Sequence, residues 1–102
     1  MNIGTYAVIF ISQLKGDDPG YHSMAKEILD LARTQKGFLG FESARNDIGI
    51  SISYWEDLAS IQEWKKQSDH IEAQTRGQRE WYQWYRIQIC KIERSYHFPV
   101  QE

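Results

Sequence analysis

The stretch from His70 to Tyr85 contains the side chains best suited to chemistry, and its pattern is typical of a helix. Positions three and four apart share one face of a helix. That face would carry an imidazole, an amide, a glycine and two indoles: His70, Gln74, Gly77, Trp81 and Trp84. An imidazole exchanges a proton between about pH 5 and 8, so His70 could serve as a general acid or base. The alternative is a partly solvated histidine that only forms hydrogen bonds.

The aromatic side chains of the same region allow two interpretations. All four tryptophans of the chain lie in its second half. Indoles such as Trp64, Trp81 and Trp84 can form a platform for a planar substrate, but they more often pack in a core or a subunit interface. The hydroxyls of Tyr82 and Tyr85 could donate hydrogen bonds to a developing oxyanion. Alternatively, they satisfy backbone carbonyls.

A strand predicted at Ile50–Trp55 has two different faces, because successive side chains alternate. One face carries two hydroxyls and an indole, from Ser51, Ser53 and Trp55, which indicates a wet or ligand-facing surface. The other face carries Ile50, Ile52 and Tyr54, which is typical of a core. Arg45, just before this strand, is interpreted as a solvated cation.

Composition narrows the class of protein. The 102 residues suit a single domain spanning 1–102. A formal net charge of −2 favours neither nucleic acid nor an anionic membrane as a partner. The single cysteine, Cys90, cannot form an internal disulfide, and no apolar run approaches membrane-spanning length, so we expect a cytoplasmic protein. Phosphate loops, Cys/His metal spacings and a Ser-His-Asp set are absent from the sequence, so we expect no nucleotide, flavin or metal cofactor.

The first half of the chain predicts a strand, a helix and a hairpin. Residues 4–13 are rich in β-branched and aromatic side chains. Asp18 followed by Pro19 is a helix start signal, and a glycine at position 37 is a stop signal. Between them, apolar residues recur every three or four positions: Tyr21, Met24, Ala25, Ile28, Leu29 and Ala32. Strands 38–45 and 50–55 follow, joined by a turn at 46–49.

The second half predicts two helices and a strand. Asp57 can cap the first helix, and Ser68-Asp69 would end it and start a second helix that reaches the low eighties. Residues 86–96 then resume strand character. The order strand, helix, two strands, helices, strand predicts a ferredoxin-like α+β fold with a four-stranded antiparallel sheet. Helices cover only one face of such a sheet, and the other face is also apolar. A second copy of the chain would cover it, so we expect a homodimer.

Three segments, followed by an IER-type last strand, resemble the antibiotic biosynthesis monooxygenase (ABM) domain family. They are GFLGFESAR (37–45), ISYWEDLASIQEW (52–64) and HIEAQTRGQREWYQWY (70–85). The resemblance implies a dimeric α/β barrel in which two sheets face each other, with a pocket between sheet and helices in each subunit. It also implies a monooxygenase that oxidises a small aromatic or phenolic molecule with O₂ and without a cofactor.

On this resemblance the catalytic candidates are His70, Trp64 and Tyr85, which would position the substrate and stabilise charge. The candidates for substrate binding are Gln74, Trp81, Trp55, Ser53 and Tyr6.

Two alternatives stay open. Haem-degrading relatives need an Asn on the first strand and an axial His ten residues after a helical Trp. Here the first strand offers Tyr6 and Ala7, and Gln74 stands ten residues after Trp64, which argues against haem degradation. The other alternative is a dimeric small-molecule-binding or stress-response module that has the fold without the chemistry.

Overall fold

The computed structural model of the chain describes residues 5–16, 19–74 and 81–99, apart from the side chains of residues 72–74. Its elements follow in the order strand, helix, strand, strand, helix, strand. They are β1 (Tyr6–Leu14), α1 (Pro19–Thr34), β2 (Phe38–Arg45), β3 (Gly49–Trp55), α2 (Leu58–Gln74) and β4 (Tyr82–Lys91). None of the helices in these ranges is long and apolar enough to cross a membrane.

The four strands form one antiparallel sheet in the order β2-β3-β1-β4. Tyr6 of β1 stands opposite Trp55 of β3 and Lys91 of β4, and this register places alternate residues of neighbouring strands on the same face. The predicted ferredoxin-like βαββαβ fold is confirmed. Both helices lie against one face, which we call the helix face; the opposite side is the outer face.

Helix α1 begins at Pro19, as the start signal predicted, although its proposed cap Asp18 lies outside the described residues. Its apolar stripe faces the sheet, with Met24 and Ala32 buried. The chain leaves the helix through Gly37, whose φ of +90° belongs to the left-handed region that favours glycine. A Cβ at this position would collide with the Ser60 side chain, so the turn is also sterically closed to larger residues.

Helix α2 is capped as predicted: the Asp57 carboxylate accepts a 2.8 Å hydrogen bond from the backbone N–H of Ser60. The predicted break at Ser68-Asp69 is wrong, since α2 runs without interruption to Gln74. The Ser68 hydroxyl donates back to the Lys65 carbonyl at 3.1 Å, and Asp69 pairs with Lys65 one turn earlier. Both polar side chains are therefore engaged within one continuous helix instead of starting a new one.

The predicted aromatic helix is also wrong at its C-terminal end. Trp84 and Tyr85 lie in β4, which starts at Tyr82 and not at residue 86. On a strand they point to opposite faces: Tyr85 stands opposite Ser12 on the helix face, and Trp84 stands opposite Gln13 on the outer face. The Trp84 indole donates a 3.0 Å hydrogen bond to the Gln13 side chain. Gly77 lies outside the described residues.

The hydrophobic core fills one end of the space between helices and sheet. Val8, Ala32, Trp55 and Ile61 form its buried cluster. Three partly buried aromatic rings pack against this cluster, from Tyr6, Phe38 and Trp64. All of these residues lie near the C-terminal end of α1 and the N-terminal half of α2. The other end of the helix layer is therefore left to a cavity.

The outer face carries an apolar strip across the sheet that no helix of the described chain covers. Ile9 stands opposite Ile52, and Ile11 stands opposite Ile50. Ile50 is 45% exposed, although the sequence places it on a face typical of a core. The prediction that Ile50, Ile52 and Tyr54 form the core face of β3 is thus wrong, because Ser53 and Trp55 on the other face are buried. Ser51, on the same face as Ser53 and Trp55, lines a cavity.

Candidate functional site

A cavity of about 760 Å³ lies between the helix face of the sheet and the two helices. Its floor comes from β1, β2, β3 and β4, and its roof from the N-terminal half of α1 and the middle of α2. Apolar and aromatic side chains dominate the lining; among them are Val8, Phe10, Met24, Leu29, Phe41 and Ile87. A volume of this size and character is suited to a ring-containing small molecule.

An aromatic cluster forms the wall on the β4 side. The rings of Phe10 and Tyr85 stack with their centroids 5.6 Å apart and an angle of 25° between their planes. Tyr82 meets Phe10 edge-on at 5.6 Å and Tyr21 of α1 edge-on at 5.7 Å. The cluster therefore joins β1, β4 and α1 around a flat surface against which a planar ligand could lie.

Trp64 forms the wall at the core end. Its ring lies 5.1 Å from that of Trp55, measured between centroids. Its indole N–H points to the Ile28 carbonyl at 3.5 Å, which is the long limit for such a hydrogen bond. The ring therefore separates core from cavity, and its N–H is held only weakly by the protein.

Two ion pairs stand on the helices at the cavity rim. Lys26 pairs with Asp30 at 2.7 Å on α1, and Lys65 pairs with Asp69 at 3.2 Å on α2. The hydrogen bond from Lys26 lowers the pKa of the Asp30 carboxyl below its usual value of 3.8. Both pairs are largely exposed and contribute little to stability. Their main effect is to balance the charge of Lys26 and Lys65.

Arg45, the last residue of β2, brings a further cation to the cavity. Its Nη2 donates to the Ser12 hydroxyl at 2.6 Å and to the Tyr21 hydroxyl at 3.4 Å. Its Nη1 donates to the Ser12 carbonyl at 3.4 Å. The guanidinium also lies 5.7 Å from the centroid of the Tyr21 ring, within range of a cation–π contact. Arg45 is exposed, as the sequence suggested, and its side chain is in addition held in place by these contacts.

The structure brings two predicted catalytic residues, Trp64 and Tyr85, to the cavity. The third, His70, is exposed on α2 and is not among the residues that line it. His22 of α1 does line the cavity.

Four of the five predicted substrate-binding residues are not among the residues that line the cavity. Trp55 and Ser53 are buried in the core, where the indole N–H donates to the Ser53 hydroxyl at 2.9 Å. Tyr6 packs against the same core. Trp81 is buried against Tyr21, with ring centroids 6.1 Å apart, and is not in the cavity lining. Gln74 ends α2, and its side chain lies outside the described part of the structure.

Sequence reasoning missed Phe10, Tyr21, His22 and Arg45 as cavity residues. Tyr21 belongs to the apolar stripe of the predicted helix, and periodicity cannot distinguish a face that packs from one that lines a cavity. Arg45 carried one usable signal, the glycine that stands opposite it across the hairpin at position 49. Within the described ranges, no three His, Cys, Asp or Glu side chains come together as metal ligands would.

The chain matches the family model for antibiotic biosynthesis monooxygenase over residues 6–76. It is 38% identical over 92 residues to the uncharacterized protein YqjZ of Bacillus subtilis, covering 88% of this chain and 81% of the relative.

Among solved structures, the chain resembles SnoaB from Streptomyces nogalater, which is described as a cofactor-independent oxygenase. The TM-score is 0.73 and the sequence identity is 13%, and the match covers 95% of this chain and 99% of SnoaB. The chain also resembles a putative antibiotic biosynthesis monooxygenase from Nitrosomonas europaea, with a TM-score of 0.71 and 10% identity over 99% and 98% of the two chains. At these identities the structural similarity shows the fold. The family model and the curated relative, together with this fold, establish that the chain belongs to the antibiotic biosynthesis monooxygenase family.

Proposed function

We propose that the protein is a cofactor-independent monooxygenase that oxidises a small aromatic or phenolic molecule with O₂ inside the cavity. The observation that carries the proposal is the cavity itself, which has about 760 Å³ of space, aromatic walls and the Tyr85 side chain in its lining. Membership of the family and the fold shared with SnoaB support the same reaction class. The fold alone does not fix the chemistry, so the proposal depends on the site.

The proposed reaction converts a ring methylene into a carbonyl. Loss of a proton from the electron-rich substrate gives an anion, which transfers its electrons to O₂ and forms a carbon–oxygen bond. The resulting peroxide takes up a proton and loses water, so that R₂CH₂ and O₂ become R₂C=O and H₂O. The substrate supplies all four electrons, and no separate reductant is required.

The residues of the cavity have separate roles in this proposal. Phe10 and the ring of Tyr85 hold the planar substrate by stacking, while the Tyr85 hydroxyl stabilises the developing oxyanion. Trp64 closes the cavity toward the core, and its weakly held N–H is a second donor. Between the two candidate bases, the geometry favours His22 over His70, because only His22 lines the cavity.

Oxygen consumption with a panel of anthrones and dihydroquinones tests the proposal. We expect at least one compound to give uptake above the uncatalysed rate, with one atom of ¹⁸O₂ in the product and the other in water. His22→Ala should lower this rate more than His70→Ala. Tight binding of a panel member without any oxygen uptake would instead establish a binding module that has kept the fold without the chemistry.

The same proposal includes a homodimer formed through the outer face. Ile9, Ile11, Ile50 and Ile52 form a contiguous apolar strip there, and the two helices lie on the opposite side. Burying this strip against a second copy would remove it from water. Each subunit would then keep a complete site of its own.

A further inference from the structure

The guanidinium of Arg45 is fixed in position by neutral partners. Ser12 is fully buried and accepts through both its hydroxyl and its carbonyl, and Tyr21 accepts through its hydroxyl. The guanidinium lies beside Gly49, where a Cβ would collide with it. Because a glycine leaves this space open, the arginine side chain crosses β3 and reaches Ser12 of β1, while the residue remains exposed to solvent.

The positive charge of Arg45 has no carboxylate partner among the residues that the structure describes. Asp47, in the same hairpin, accepts a 3.0 Å hydrogen bond from the Gln13 side chain instead. The two lysines at the rim, in contrast, are both paired with aspartates. Arg45 therefore differs from the other rim cations: it is held in place but not neutralised.

The surroundings of this cation are polar, unlike the rest of the cavity. Ser43 and Ser51 stand opposite each other on the floor next to Arg45, and both line the cavity. Arg45 and His22 also line a smaller groove of about 270 Å³ that adjoins the cavity. The site thus combines a ring-binding interior with a cationic end that has room around it.

We propose that Arg45 binds the carboxylate of the ligand, so that the protein selects aromatic carboxylic acids. The inference rests on the proposed function of the cavity and specifies its substrate class. The rings lie against Phe10 and Tyr85, and the carboxylate meets the guanidinium and the serine hydroxyls at the open end. Ser12 and Tyr21 occupy three of the five N–H groups of the guanidinium, and the two that remain, on Nε and Nη1, are the donors for the carboxylate. A single arginine beside neutral hydroxyls suits one negative charge better than the two of a phosphate ester.

A pair of fluorescent probes with the same shape tests the inference by binding alone. Anthracene-2-carboxylate carries the charge, and anthracene-2-carboxamide does not. We expect the wild-type protein to bind the carboxylate about tenfold more tightly or better, as for charge-assisted hydrogen bonds. Arg45→Gln should remove this preference and leave the affinity for the amide unchanged, which also shows that the variant is folded. Added salt should weaken the binding of the carboxylate only.

Three further variants sharpen the result. Arg45→Lys keeps the charge but not the planar guanidinium with its several N–H donors, so it should retain only part of the preference. Gly49→Ala keeps the arginine but displaces it, and should also reduce the preference. Arg33→Gln removes a positive charge from an exposed position outside the cavity, so it should change neither affinity.

Equal wild-type affinity for the two probes would overturn this inference while leaving the cavity function intact. A preference that persists in Arg45→Gln would have the same meaning. Binding of neither probe would also overturn the inference, and oxygen uptake with the anthrone panel then decides the proposed function separately.

Discussion

The indole N–H of Trp55 donates a 2.9 Å hydrogen bond to the hydroxyl of Ser53, two residues earlier on the same face of β3. Trp55 is 0% exposed and Ser53 is 4% exposed, so water cannot replace either partner. A polar pair is thus built into the core and fixes the ring against which Phe38 and Trp64 pack. Ser53 serves the core here and not the ligand.

Ser53→Ala should therefore lower the free energy of unfolding by about 1–3 kcal/mol, because it leaves a buried indole N–H without an acceptor. Urea unfolding followed by tryptophan fluorescence measures this loss. Ser51→Ala, at a serine of the cavity floor, should cost less than about 0.5 kcal/mol. Equal losses in the two variants would contradict the assignment of Ser53 to the core.

Tyr85→Phe should reduce the rate of oxygen uptake by about 10²-fold, because the ring remains stacked on Phe10 but the hydroxyl proposed to stabilise the oxyanion is gone. The thermal midpoint should stay close to that of the wild type. Tyr96→Phe is the matched control, since Tyr96 is 84% exposed and outside the cavity. An unchanged rate in Tyr85→Phe would remove this hydroxyl from the mechanism.

Ile52→Glu should convert the proposed dimer to a monomer, because it places a charge opposite Ile9 in the middle of the apolar strip. Light scattering at micromolar concentration measures the mass, and circular dichroism verifies that helices and strands persist. Leu58→Glu, at a residue of α2 that is 46% exposed, should leave the mass unchanged. A wild-type protein that is monomeric in this assay would itself contradict the proposed assembly.

Asp57→Ala should lower the thermal midpoint by a few degrees at neutral pH, because it removes the cap of α2. The hydrogen bond from the Ser60 backbone lowers the pKa of the Asp57 carboxyl below 3.8. A depressed pKa in the folded state means that the ionised cap stabilises the protein above pH 3.8. The difference in midpoint between wild type and variant should shrink as the pH falls below this value. A difference that stays constant down to pH 2 would show that ionisation of the cap contributes nothing.

Gly37→Ala should destabilise the protein by about 1–2 kcal/mol or more, because it forces an L side chain into the left-handed region and against Ser60. Gly16→Ala provides the comparison, since a Cβ there meets nothing within 4 Å. Denaturant midpoints of the two variants should differ in this direction. A Gly37→Ala protein as stable as Gly16→Ala would mean that the turn rearranges without cost.

Sequence periodicity correctly predicted the elements whose pattern is compatible with only one type of secondary structure. Helix α1 repeats its apolar residues at helical spacing between a start and a stop signal, and β2 was predicted with the bounds it has in the structure. The predictions for the region after Trp64 were wrong because its residues are compatible with more than one local structure. Ser68 and Asp69 can cap a helix or bond within one, and the aromatic run from Trp81 to Tyr85 is compatible with helix spacing although aromatic residues favour strands.

The candidate site was only partly predictable for a different reason. Trp64 and Tyr85 were predicted as site residues from their residue types, and both line the cavity. The role of Arg45 depends on Ser12, 33 positions earlier in the chain, and on Tyr21 of the helix between them. Contacts of this kind exist only after the sheet has aligned β1 beside β3, so no local spacing signals them.

The separation of core and cavity to opposite ends of the helix layer has an evolutionary consequence. Trp55 and the residues packed against it hold the helices at a fixed distance from the sheet at this end. The far end can then stand open without collapsing. Substitutions that reshape the cavity need not disturb the hydrophobic core. Related proteins can therefore acquire new ligands while the fold keeps its stability.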